Sequence, residues 1–288
     1  MAESVKNYFL IILLALIWGS SFILMKKGLE VFDFFQVASL RISIAFFSLI
    51  PFLLKAINLV KYKHFFPIVI AAFCGTGIPA FLFSRAQEEL DSSLVGILNS
   101  IVPLFTLILA FCFFRGKLLK TNFFGVIIGF FGVVLLAFRN QHQEIIFNQY
   151  VFMVIIATIC YAISINVIKN YLNDLEASVI AAISFSVIGP IACFLLIRTD
   201  FFYILQNNQN AYKALGYIIV LALFGTSFAS IIFNKLLHRT SAIFVSSVTY
   251  LIPIVAILWG LYDGEVITIN YVIGFITILS GVYLVNKN

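Results

Sequence analysis

The chain has 288 residues, of which 62% are hydrophobic and 10% charged, and it carries a formal net charge of +6. Average globular chains hold roughly 25% charged residues, so a soluble core is excluded and lipid is the solvent to reason in. The Lys and Arg residues are spread through short loops rather than gathered in a patch, which excludes a nucleic-acid surface.

Apolar runs bounded by charges predict an all-α integral membrane protein with ten transmembrane helices, near residues 8–25, 34–54, 65–84, 92–114, 122–138, 150–168, 177–197, 214–234, 241–262 and 269–285. The first run follows Lys6 and closes on Gly19, Ser20 and Ser21, which imitates a cleaved leader. It is read as a retained helix because a partner segment recurs later, and Trp18 and Ser21 lie one turn apart on it. The second run holds Arg41, the one charge well inside a predicted span, roughly 11 Å from the helix start at 1.5 Å per residue. A charge at that depth is a candidate site for a carboxylate or phosphate; snorkelling to headgroups, or pairing with a loop acid, competes with that role.

Thr76 sits on the third span. On the fourth, Ser92, Gly96, Asn99, Pro103 and Thr106 recur at steps of three and four. The fifth carries a Gly125, Gly129, Gly132 stripe, a helix-packing face with no chemistry assigned. Tyr161 and Ser164 lie one turn apart on the sixth, and Thr226 on the eighth stands where Thr76 does on the third. On the ninth, Ser246, Thr249 or Tyr250, and Pro253 repeat the stripe of the fourth. The polar stretch 206–210 predicts the longest loop.

Residues 72–103 align without gaps on 222–253, at an offset of 150, with Ala72/Ala222, Gly75/Gly225, Thr76/Thr226, Phe83/Phe233, Val95/Val245 and Pro103/Pro253 identical. Trp18, Ser21 and Lys26 match Tyr161, Ser164 and Lys169 at an offset of 143, and Gly125 and Gly132 are spaced like Gly274 and Gly281. Two repeats of five helices are predicted, residues 1–144 and 145–288. An odd helix number makes the second copy enter the membrane from the opposite side, giving two inverted five-helix repeats. Lys and Arg counts then place both termini in the cytoplasm, with eleven inside and six outside.

A polar path between repeats needs polar and aromatic side chains on shared faces. The expected substrate cavity is Trp18, Ser21, Arg41, Thr76, Asn99, Tyr161, Ser164, Thr226, Ser246, Thr249 and Tyr250, with Pro103 and Pro253 as hinges. Small and hydroxyl residues also let helices pack closely, and a proline in a membrane helix is also tolerated as a static kink. Cys74, Cys112, Cys160 and Cys193 lie in apolar runs without metal-ligand spacing. His64, His142 and His238 are expected in loops, and no catalytic motif is present. Neither metal nor cofactor is expected. No acidic residue is predicted at the midplane, which disfavours a proton relay, while Glu88, Glu89 or Asp91 could couple at the outer vestibule.

These residues resemble the drug/metabolite transporter superfamily, and within it the EamA-like carriers, over nearly the whole chain. The resemblance rests on Trp18 to Phe22 followed by Lys26, on Leu40 and Arg41, on the segment from Ser92 through Pro103, on Gly125 with Gly132, and on Gly264 with Glu265. The first half has Gly116 and Lys117 where a Gly-Glu pair would fall. The resemblance implies two repeats around a central cavity and export of small metabolites such as amino acids across the bacterial inner membrane; monomer and homodimer are both open. A membrane enzyme on lipid-linked substrates and a passive channel are the alternatives.

Overall fold

The computed structural model describes residues 2–56, 59–114, 120–141 and 144–286. Arg115, Gly116, Lys117, His142 and Lys287 lie outside that set. Eight of the described helices are long and apolar enough to cross a membrane. They are α1 (Lys6–Leu29), α2 (Phe34–Leu54), α3 (Tyr62–Gln87), α4 (Ser92–Phe113), α6 (Tyr150–Tyr171), α7 (Ala177–Ile197), α8 (Ala211–Arg239) and α9 (Phe244–Tyr262). Two shorter apolar helices, α5 (Thr121–Leu136) and α10 (Ile269–Leu284), occupy the remaining predicted places. Phe47, Phe66, Phe113, Phe131 and Phe194 face outward, a surface that suits lipid and not water. The protein is a multi-span membrane protein.

Two departures from the helical expectation stand out. Strands β1 (Phe138–Gln141) and β2 (Glu144–Phe147) pair antiparallel between α5 and α6, Phe138 opposite Phe147 and Gln141 opposite Glu144. Arg139 and Asn140 end the apolar run there, and the β-branched and aromatic 145–147 favour a strand over another turn of helix. The expected long loop also contains a short helix, Phe201–Asn207, anchored by the Phe201 ring 5.4 Å from Phe32. His238 is corrected likewise: it lies in the last turn of α8, not in a loop.

Four helices are irregular where they pass the centre. In α3 the chain loosens to π-helical winding over Phe73–Gly77, and in α8 over Leu221–Phe228. Such bulges are frequent at functional sites because they turn backbone carbonyls out of the ladder. In α4 the helix stops at Asn99 and restarts at Val102; in α9 a 3-10 turn over Ser247–Tyr250 precedes the restart at Ile252. Pro103 and Pro253 therefore do not interrupt continuous helices, as the sequence suggested. Each sits in the first turn of a new segment, where a missing N–H costs little.

The bundle has two distinguishable ends. Tyr8 near the start of α1 meets Phe244 at the start of α9, and Lys169 near the end of α6 bonds the carbonyls of Leu237 and Thr240. This is the Lys169 end. Lys26 near the end of α1 meets Asp263 and Glu265, and this is the Lys26 end. To one side α5 and α10 close on each other through their glycines, Gly281 against the backbone of Gly125 and Gly129, and Gly132 against Gly274 and Ile278.

Candidate functional site

A cavity of about 140 Å³ lies among α1, α2, α3, α4, α6, α7, α8 and α9. Its walls are made by contacts that cross between the halves in matched pairs. Trp18 of α1 packs its ring 5.3 Å from Phe233 of α8, and Tyr161 of α6 stacks 5.7 Å from Phe83 of α3. Beneath the rings, a Cβ on Gly225 would stand 2.5 Å from Ser21 Oγ, and one on Gly75 would stand 2.5 Å from Ser164 Oγ. An alanine at either place would force the facing serine hydroxyl to turn away, so the sequence identity Gly75/Gly225 has a steric rationale.

The π-helical turns supply acceptors. Trp18 Nε1 donates to the Gly225 carbonyl at 3.0 Å, and the Thr226 hydroxyl donates five residues back to the Leu221 carbonyl at 3.2 Å. Thr226 Oγ1 also accepts from Arg41 Nε at 2.7 Å, and the Tyr161 hydroxyl faces the same guanidinium. Arg41 is only 8% exposed. Among the described residues it is the one charged group in the cavity wall, and no carboxylate lies within 4 Å of it.

Of the eleven residues expected in the cavity, Trp18, Ser21, Arg41, Thr76, Asn99, Tyr161, Ser164, Thr226, Ser246 and Thr249 line it, and Tyr250 does not. The correction is geometric. A 3-10 turn advances 120° per residue, so Ser246, Thr249 and Ile252 share the cavity face and Tyr250 is rotated away into the apolar core. Sequence reasoning missed Phe22, Ser184 and Asn234, which also line the cavity. Ser184 stands at the 143 offset from Arg41, a signal that was there to be found. Phe83 and Phe233 were an identical pair in the repeat alignment, yet only the structure shows that both reach the wall.

Two of the three vestibule acids, Glu88 and Asp91, are spoken for at the Lys26 end. Glu88 pairs with Arg85 and accepts the Phe34 amide, and Asp91 accepts from the Tyr271 hydroxyl at 2.9 Å. Gly264, with φ of 83°, turns the chain so that Glu265 points back under α4. The Glu265 carboxylate accepts the amides and hydroxyls of Ser92 and Ser93 and the Lys26 ammonium, all within 3.1 Å. Burial pushes the Glu265 carboxyl up, but the hydrogen bonds from Lys26, Ser93 and Ser92 outweigh it and hold it at about 2.

A multi-span helical protein with a closed-in, aromatic and polar cavity crossed by paired contacts has the architecture of a membrane protein that handles a small solute. The chain belongs to the EamA-like transporter family, whose sequence pattern matches it twice, over residues 5–138 and 148–287. It is 25% identical over 284 residues to an uncharacterized transporter of Archaeoglobus fulgidus, covering 97% of this chain and 98% of that one. It is also 25% identical over 265 residues to the uncharacterized inner membrane transporter YedA of Escherichia coli K12, covering 86% and 79%. A solved crystal structure superposes with a TM-score of 0.65 at 14% identity, covering 98% and 96%.

Proposed function

We infer that the protein is a secondary carrier that exports small metabolites, amino acids among them, by alternating access through the cavity. The observation that carries this is the crossing of paired contacts, Trp18 with Phe233 and Ser21 with Gly225 against Tyr161 with Phe83 and Ser164 with Gly75. A cavity bounded by equivalent surfaces from two halves can be closed at either end by equivalent motions. The family pattern found twice in the chain supports two five-helix repeats divided near residues 144 and 145. The opposite sense of α1 and α6 supports their inversion. Eight long and two shorter apolar helices support ten crossings, and the distribution of Lys and Arg supports the Lys169 end and both termini in the cytoplasm and the Lys26 end outside. A relative named as an inner membrane transporter supports that compartment.

In this reading Trp18, Ser21, Arg41, Thr76, Asn99, Tyr161, Ser164, Thr226, Ser246 and Thr249 face the solute. Pro103 and Pro253 mark the hinges, since each opens the helical segment that restarts after the break in α4 and in α9. Purified protein in proteoliposomes should show saturable uptake and counterflow of at least one member of a metabolite panel. Flux that rises without saturation would make it a channel, and conversion of a lipid-linked compound would make it an enzyme.

A further inference from the structure

Two large polar groups in the cavity wall keep an unmet need: Arg41 has hydrogen-bond partners but no counter-charge among the described residues, and Asn99 has an amide oxygen without a partner. Trp18 is bonded to Gly225, Thr249 to the Ser246 carbonyl at 2.8 Å, and Asn234 to the Ala177 carbonyl at 3.5 Å. Arg41 satisfies its Nε on Thr226 but faces no counter-charge among the described residues. Asn99 is 5% exposed, and its Oδ1 has no hydrogen-bond partner. The other buried polar atoms that lack partners, on Asn7, Ser39, Ser43, Gln87 and His238, are not in the cavity wall. A buried cation without an anion is costly, and so is a buried amide with nothing to bond. Both persist here in the same cavity, and both come from the first half. Their positional counterparts are Ser184 and Thr249, a neutral side chain and a satisfied one.

We propose that Arg41 and Asn99 together select the substrate: a small monocarboxylate whose carboxylate becomes the counter-ion of Arg41 and whose second polar group, a hydroxyl or ammonium, bonds the Asn99 amide. This rests on the carrier reading above and adds the solute class to it. A single guanidinium offers one charge and a fork that fits a carboxylate edge-on, so a phosphate dianion would bring an unbalanced charge into a lipid-embedded cavity. The Asn99 amide can present oxygen or NH₂ to the cavity by turning about its last bond, which suits either second group. Trp18, Tyr161, Phe83 and Phe233 accept an apolar body between them.

The test is binding to the purified full chain, read as a ligand-induced rise in melting temperature. The probes are four matched compounds in a branched aliphatic and a phenyl series: the α-amino acid, the α-hydroxy acid, the acid without an α substituent, and the α-amino amide. Wild type should bind the first two, bind the unsubstituted acid about tenfold more weakly, and not respond to the amide. Asn99→Ala should erase that tenfold preference while keeping the demand for a carboxylate. Arg41→Gln should abolish all shifts and Arg41→Lys restore part of them. The empty Arg41→Gln protein should melt no lower than wild type, because an uncompensated buried charge is gone; a residue of merely structural role would lower it.

Amide binding equal to the acids, undiminished binding by Arg41→Gln, or no response of wild type to any acid overturns the proposal. Saturable flux of neutral or cationic solutes that survives in Arg41→Gln would overturn it while leaving the carrier reading intact. Absence of any saturable flux by wild type, with acid binding as expected, would do the reverse.

Discussion

The two ends of the bundle solve one problem differently. Lys26 and Lys169 occupy equivalent places on α1 and α6, directly after the cavity-lining Met25 and Ile168. Lys26 meets carboxylates, Asp263 at 2.9 Å and Glu265 at 2.8 Å, and Lys27 joins Asp263 at 2.7 Å. Lys169 meets only the last carbonyls of α8, Leu237 at 2.8 Å and Thr240 at 2.6 Å. The first is a charged lock that ties α1, the α9–α10 turn and the start of α4 together; the second is a cap on a helix terminus. Matched positions in a repeat therefore do not carry matched strength, and the Lys26 end is the harder one to part.

The comparison is broken most directly at Glu265. Glu265→Ala would leave the four donors of Ser92 and Ser93 with nothing to bond and Lys26 with Asp263 alone, at a cost of about 3 kcal/mol. Lys169→Met, whose carbonyl partners each lose one bond, should cost about 1 kcal/mol. Thermal unfolding in detergent measures both, and equal losses would show that the ends are not different after all.

Acid sharpens the same contrast. Glu265 is held at about 2 against an ordinary 4.5, so between those values the unfolded chain binds the proton and the folded chain does not. Its contribution is complete above about pH 4.5 and is lost as pH falls toward 2. Asp263 is displaced downward too, since Lys26 and Lys27 overcome the upward push of burial. Melting temperature should therefore fall in that window, and Glu265→Gln should flatten the fall. A variant that keeps the full acid sensitivity would place its source elsewhere.

The smallest effect is expected at Asp174 on the Lys169 end. It pairs with Lys63 at 2.6 Å and with His64 at 3.1 Å, and Lys63 foremost draws its carboxyl down to about 2. Yet it is solvent-exposed, and surface pairs contribute little. Asp174→Asn should leave the neutral-pH melting temperature unchanged within error; a drop comparable to that of Glu265→Ala would erase the difference between the ends.

How much of this was legible beforehand depends on the kind of signal. The helices were, because runs of about 20 apolar residues have one physical meaning. Ten cavity residues were: nine lie on polar faces that match between the halves or recur at steps of three and four, and Arg41 is the one charge inside a predicted span. Tyr250 was misplaced because periodicity assumes 100° per residue and the chain there turns by 120°. The π-helical turns left no trace in composition, since Phe73–Gly77 and Leu221–Phe228 read as ordinary apolar helix; only Gly75 and Gly225 hinted at them. The partner of Lys26 lay more than 230 residues away, beyond any local pattern. The strand pair 138–141 and 144–147 was hidden because a short β-favouring stretch between two apolar runs looks like a loop.

The glycine seam between α5 and α10 bears on how the chain is made. These are the last helices of the two matched regions, and the glycines of each admit the backbone or side chains of the other. Were the gene divided between them, each product would leave synthesis with an uncovered groove and would depend on a chance encounter in the plane of the membrane. Keeping both on one polypeptide replaces that search with a tethered one, at an effective concentration set by the connecting chain. Continuity of the polypeptide is thus itself an assembly device, with the seam as its clasp.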